Sequence, residues 1–220
     1  ASLARTVACV DCGHANSAEQ KFCNGCGRRL GAAPVVTTAP GRSPVGSTPS
    51  HLADKILRSR EALQGERKQI TVLFVDVKGS MDLAERLGAE EWHAILDRFF
   101  QILTDGVHRF EGSVNQYTGD GIMALFGAPI AHEDHAQRAC WAALHLQAAV
   151  RAYADELRRT HGLSFSTRMG LNSGDVVIGR IGDDLRMDYT AQGHTVGLAQ
   201  RMEQLAEPGT ICLTAHTRRL

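Results

Sequence analysis

The chain has 220 residues, of which 43% are hydrophobic and 22% charged, and its formal net charge is zero with histidine counted neutral. That length suggests one medium domain plus something small, of ordinary globular composition, and the balanced charge gives no electrostatic reason to expect nucleic acid or an anionic membrane as a partner. No apolar run approaches bilayer-spanning length and no apolar h-region precedes the first cysteine, so neither a membrane span nor a signal peptide is expected and a cytoplasmic location is the default.

The first residue is Ala, which reads as loss of the initiator Met or as a fragment. Residues 1–30 carry Cys9-x2-Cys12 and Cys23-x2-Cys26. Two such knuckles, ten residues apart, can present four thiolates to one tetrahedral Zn²⁺. In a reducing compartment this use outweighs disulfides. So short and polar a segment would need the metal to fold. The reading is a small zinc ribbon with structural zinc, a docking or regulatory module whose partner the sequence does not name. Residues 31–50 hold four of the six prolines and no acidic residue, which reads as a flexible linker. Residues 51–65 read as a short connecting helix that Gly65 stops. Residues 66–220 form the main domain.

From Ile70 the pattern alternates between strand and helix. Residues 70–76 are a near-continuous apolar run, expected as a central strand that ends at Asp76. Ser80 is placed to cap a helix through Leu83 and Leu87 to Gly88. Residues 90–110 are amphipathic, with Trp92, Ile95, Leu96, Phe99, Leu103, Val107 and Phe110 at three- and four-residue steps. Strands at 113–117 and 121–126 flank Gly119-Asp120 as a hairpin. A long helix over 133–160 turns Ala139, Ala143, Leu146, Val150, Tyr153 and Leu157 inward. Strands at 163–171 and 175–181 are expected around a hairpin turn at Asn172-Ser173-Gly174-Asp175, then a helix at 194–206 and a strand at 210–213. The order predicts a sheet with helices on one face. Cys140 and Cys212 read as core residues, and His132-Glu133-Asp134-His135 as a polar helix start, since it is not the His-Glu-x-x-His metal pattern.

Two carboxylates at strand tips, Asp76 and Asp120, each beside glycines that let a ligand approach, suit hard cations holding a polyphosphate. The surrounding stretches TVLFVDVKGS (71–80), VNQYTGDGIMALFG (114–127), STRMGLNSGDVVIGRIG (166–182) and DYTAQGHTVGLAQRME (188–203) resemble, in order, the catalytic domain of class III adenylyl/guanylyl cyclases. That resemblance implies an α+β fold, a ferredoxin-like antiparallel-sheet sandwich. It implies conversion of ATP, with GTP the alternative, to the 3′,5′-cyclic nucleotide and pyrophosphate, using two Mg²⁺ or Mn²⁺ ions per site.

Carried over residue by residue, the metals fall to Asp76, Asp120 and the Val77 carbonyl. The turn Lys78-Gly79-Ser80-Met81 would cradle phosphates with its amides. Arg168 would bind the triphosphate and Arg201 would stabilise the α-phosphate in the transition state. In the family the site lies between two catalytic domains, which implies a homodimer or heterodimer.

Three departures stand out. The base-reading position holds Gln116, where adenylyl cyclases carry Lys and guanylyl cyclases Glu; its partner position holds Thr190, which leans toward ATP. The asparagine that assists the transition-state arginine falls at Gly197. The chain stops at Leu220, where the family's domain continues. These departures keep open a catalytically weak or inactive cyclase-like module that binds nucleotide or mediates dimerisation. An adaptor built around the ribbon is a third reading.

Overall fold

A computed structural model describes residues 6–8, 15–17, 67–177 and 194–220 of the chain. Two compact units divide it, Ala1–Gly41 and Arg42–Leu220. In the first, β1 (Thr6–Ala8) and β2 (Ala15–Ser17) pair antiparallel, with Thr6 opposite Ser17. The four cysteines of the expected ribbon, the linker and the 51–65 helix lie outside the described residues.

The second unit contains β3 (Arg67–Val77), α1 (Ser80–Leu87), α2 (Ala89–Arg109), β4 (Ser113–Tyr117), β5 (Gly121–Phe126), α3 (His135–His161), β6 (Thr167–Val177), α4 (His194–Leu205), β7 (Ile211–Leu213) and α5 (Ala215–Arg219). Five strands make one sheet in the order β4-β5-β3-β6-β7. The apolar run of β3 is central, as its sequence predicts, because both of its faces are covered. Leu73, Val75 and Val77 pack on one side with Phe99 and Leu103 of α2 and Leu146 and Val150 of α3. Ile70 and Val72 pack on the other with Met123, Leu125 and Ala199 of α4.

Three expectations are corrected. The α+β class stands, but the sheet is mixed rather than wholly antiparallel, because β7 runs parallel to β6. The chain between these strands carries α4, and a crossover of that kind returns the next strand in the same direction. Helices cover both faces of the sheet rather than one: α2 and α3 lie on one side and α4 on the other. The hairpin expected at Asn172–Asp175 is absent. Those residues continue one eleven-residue strand, with Asn172 opposite Val72 and Gly174 opposite Ile70.

Gly174 serves close packing instead, since a Cβ there would stand 2.7 Å from Thr195 Oγ1 of α4. Pairing with β3 along its whole length supplies the hydrogen bonds that override the turn-forming residues of this stretch.

Candidate active site

The register of β3 fixes the site. Asp76, one residue from the end of the strand, stands opposite Gly121 of β5 on one side and Arg168 of β6 on the other. Along β3, Asp76 shares the side of Phe74, Val72 and Ile70, which is the side that α4 covers. Gly121 has to be glycine, because a Cβ would lie 2.2 Å from the Val75 carbonyl oxygen. That close approach brings the β4–β5 turn, with Gly119 at φ 91° and Asp120, against the end of β3.

Arg168 Nη2 donates to Asp76 Oδ2 at 2.9 Å. The same nitrogen lies 2.7 Å from Glu203 Oε1 of α4, an ion pair without hydrogen-bond geometry. Arg168 Nε, also buried, has no hydrogen-bond partner among the described residues. The side chains of Arg168, Asp76 and Glu203 are 20%, 26% and 7% exposed. Burial holds the Asp76 carboxyl above its ordinary value; the Arg168 bond opposes this and the neighbouring Asp120 adds to it. Burial likewise raises Glu203, opposed by Arg168 and reinforced by the charges of Asp76 and Asp120.

A second carboxylate acting on Asp76, and a guanidinium already resting on it, mark a place that takes positive charge. The residues fit Mg²⁺ or Mn²⁺, which bind through one or two carboxylates and complete their shells with water and phosphate oxygens. Among the described residues no three His, Cys, Asp or Glu side chains converge on one point, so an all-protein cage is not what this site offers.

The turn expected to receive phosphate differs in detail from the expectation. Gly79, at φ 72°, is the N-cap of α1 and Ser80 is its first helical residue, so Ser80 is not the cap. The Lys78 amide donates to Ser166 O at 2.9 Å and is committed to the fold. No side chain caps α1, which leaves amides of its first turn available to an anion. Met81 is 75% exposed there.

The remaining expected residues do not gather at Asp76 within this chain. Gln116 is exposed on β4, opposite Met123. Gly197 and Arg201 are both exposed on α4, whereas Thr195, Ala199 and Glu203 are buried. Residues two apart on a helix face nearly opposite directions, so Arg201 projects from the stripe away from the sheet. Thr190 lies outside the described residues.

The sequence reading missed Glu203. Its signal was a carboxylate four residues after Ala199, on the apolar stripe of an amphipathic helix.

The histidine cluster at residues 132–135 is structural. Asp134 is the N-cap residue of α3 and pairs with Arg138 at 2.7 Å, and His135 Nδ1 is hydrogen-bonded to Thr71 Oγ1 at 2.8 Å. Cys140 and Cys212 are half-buried, and burial pushes the Cys140 thiol up.

A model of the adenylate and guanylate cyclase catalytic domain family matches residues 63–220. Adenylate cyclase 1 of Rhizobium meliloti is 34% identical over 138 residues, 62% of this chain and 21% of that protein. The chain therefore spans about a fifth of that relative's length. Among solved structures, the guanylyl cyclase Cya2 superposes with a TM-score of 0.66 at 31% identity, covering 71% of this chain and 80% of that one. The adenylyl cyclase CyaB from P. aeruginosa does so with a TM-score of 0.67 at 29% identity, over 71% and 82%.

Proposed function

Because the chain belongs to the adenylate and guanylate cyclase catalytic domain family, we propose that it is a nucleotidyl cyclase that converts ATP to 3′,5′-cyclic AMP and pyrophosphate in intracellular signalling. The observation that carries this reading is the register of β3, which sets Asp76 beside the Asp120 turn and opposite Arg168. Cyclisation requires the 3′-hydroxyl to lose its proton and attack the α-phosphorus in line, while the bond from that phosphorus to the β-phosphoryl oxygen breaks. Two divalent ions, Mg²⁺ or Mn²⁺, would activate the attacking oxygen and neutralise the triphosphate when bound.

The chain's own residues divide the rest of the work. Asp76, Asp120 and the Val77 carbonyl would hold the ions. Free amides of the Gly79–Met81 turn would receive phosphate oxygens at the start of α1. Arg168 would exchange part of its contact with Asp76 for the triphosphate, for which its planar fork is suited. Gln116 and Thr190 would read the base; an amide that donates and accepts suits either purine, and Thr190 favours adenine.

Arg201 lies on the exposed stripe of α4 and would serve a site completed by a second chain, in a homodimer or heterodimer. Cys9, Cys12, Cys23 and Cys26 would hold one structural Zn²⁺ in a separate ribbon. Chelating that zinc is expected to unfold residues 1–30 and leave the melting of the cyclase core unchanged, as followed by calorimetry.

A second reading, a weak or inactive cyclase-like module that binds nucleotide or dimerises, is favoured by one observation. Gly197 offers no side chain where the family's assisting asparagine falls, and a Cβ there would meet nothing within 4 Å. Equimolar ATP and GTP with Mn²⁺, read for both cyclic products by mass spectrometry, separates the readings. Cyclic AMP in excess is the expected result. Cyclic GMP in excess would reverse the base assignment, and bound nucleotide with neither product would favour the second reading.

A further inference from the structure

Glu203 is the one Asp, Glu, Lys or Arg that is buried among the described residues. A buried carboxylate left alone costs several kcal/mol, so its position calls for compensation. The compensation is Arg168 Nη2 at 2.7 Å. The packing is built for this contact: at Gly170, two residues along β6 from Arg168, a Cβ would lie 2.0 Å from the Glu203 amide nitrogen. Only a bare backbone there admits the α4 turn that carries Glu203.

Arg168 thus rests on two carboxylates of different standing. Asp76 is the partner that divalent ions would claim. Glu203 belongs to α4 and is not among the residues expected to hold them. We propose that Glu203 is a positioning residue: it anchors the Arg168 guanidinium at the phosphate side of the site when Asp76 is engaged elsewhere. Held in this way, Arg168 meets a triphosphate without first being ordered, which removes an entropic cost of binding. The proposal rests on the cyclase reading for what Arg168 binds, but the anchoring itself does not depend on turnover.

The test has two readouts. In an Asp76→Ala background, which removes the other carboxylate on Arg168, nitrogen-15 NMR of the Arg168 guanidinium is expected to show a slowly exchanging, restricted group while Glu203 is present and a freely rotating one when Glu203→Ala is added. In steady-state kinetics with Mn²⁺ and ATP, Glu203→Ala is expected to raise KM about tenfold with kcat changed less than about threefold, the size of one charged contact. In an Arg168→Ala background the same substitution should add nothing to KM. Glu203→Asp keeps the charge and shortens the reach, so it serves if the alanine variant does not fold; its KM should rise roughly threefold, a smaller share of the same contact.

An Arg168 signal unchanged by either substitution would overturn the anchoring. So would a KM effect of equal size without Arg168, or an unchanged KM in a folded variant. Absence of product from the wild type, with the Arg168 signal responding as expected, would count against the cyclase reading alone; calorimetric binding of ATP would then take the place of KM.

Discussion

Asp76 is poised against its own stability. Its carboxyl is partly withdrawn from water beside Asp120, and its folded pKa lies above the ordinary value despite the Arg168 bond. A raised carboxylate pKa means the protonated form is favoured on folding. The penalty is therefore absent in strong acid, grows as pH rises from the unfolded value of about 3.9 through the folded one, and is fully present at pH 7. Asp76→Asn is expected to raise Tm at pH 7, with the gain vanishing near pH 3, while cyclase activity falls about 100-fold or more. A lower Tm at pH 7 in a thermal melt would contradict the account.

The Asp76, Asp120 and Arg168 positions were legible because each sits in a short motif at a strand end. Glu203 was not legible, because its role depends on two elements meeting 35 positions apart, Arg168 on β6 and Glu203 on α4. Gly197→Asn adds a donor in open space on the exposed side of α4. It is expected to raise kcat about tenfold; an unchanged kcat would show that the missing asparagine is not what limits the rate.

At the scale of elements, β6 and α4 hold the site together. Gly170→Ala would drive a methyl group into the α4 backbone, 2.0 Å from Glu203 N and 2.4 Å from Ala199 O. The expected cost is about 1–3 kcal/mol of stability with a raised KM for ATP, since α4 carries Glu203 away from Arg168.

A buried polar chain crosses the sheet nearby. His135 Nδ1 and Ser173 Oγ both meet Thr71 Oγ1, at 2.8 Å and 2.7 Å, and the Ser173 amide donates to Thr217 Oγ1 of α5 at 2.8 Å. Burial lowers the His135 pKa. The neutral ring is thus the folded form, and its stability contribution is intact above the unfolded value of about 6.5 and is lost as pH falls toward the depressed folded value. Denaturant midpoints measured from pH 8 to pH 5 should fall over that window, and the His135→Gln variant should fall less.

Asn172-Ser173-Gly174-Asp175 lies within β6 despite its turn-forming residues. Turn-forming residues there serve contacts between elements: Asn172 Nδ2 donates to Thr195 O at 2.8 Å, and Gly174 admits α4. Local sequence cannot distinguish that use from a turn.

At the scale of the molecule, the α+β class was legible from the alternation of apolar periods. Which face of the sheet α4 would cover was not, because a helical stripe states that a side is buried and not what buries it. The two stripes of α4 also separate two residues: Glu203, which the sequence did not mark, is buried on the side of the sheet that carries Asp76, and Arg201, which it did, is exposed on the other side. An active site completed across two chains follows from that division under the cyclase reading. Mixing inactive Asp76→Ala and Arg201→Ala chains in equal amounts should then restore about a quarter of wild-type activity, since half of the dimers carry one complete site. No recovery in the mixture would place Arg201 outside the site.

The most direct test of the account is the rate of cyclic nucleotide formation with Mn²⁺ and ATP in the wild type and in Asp76→Ala. Metal-dependent 3′,5′-cyclic AMP from the wild type and its loss in the variant are expected. Cyclic product that persists in Asp76→Ala, or a wild type that binds ATP and releases none, would contradict it.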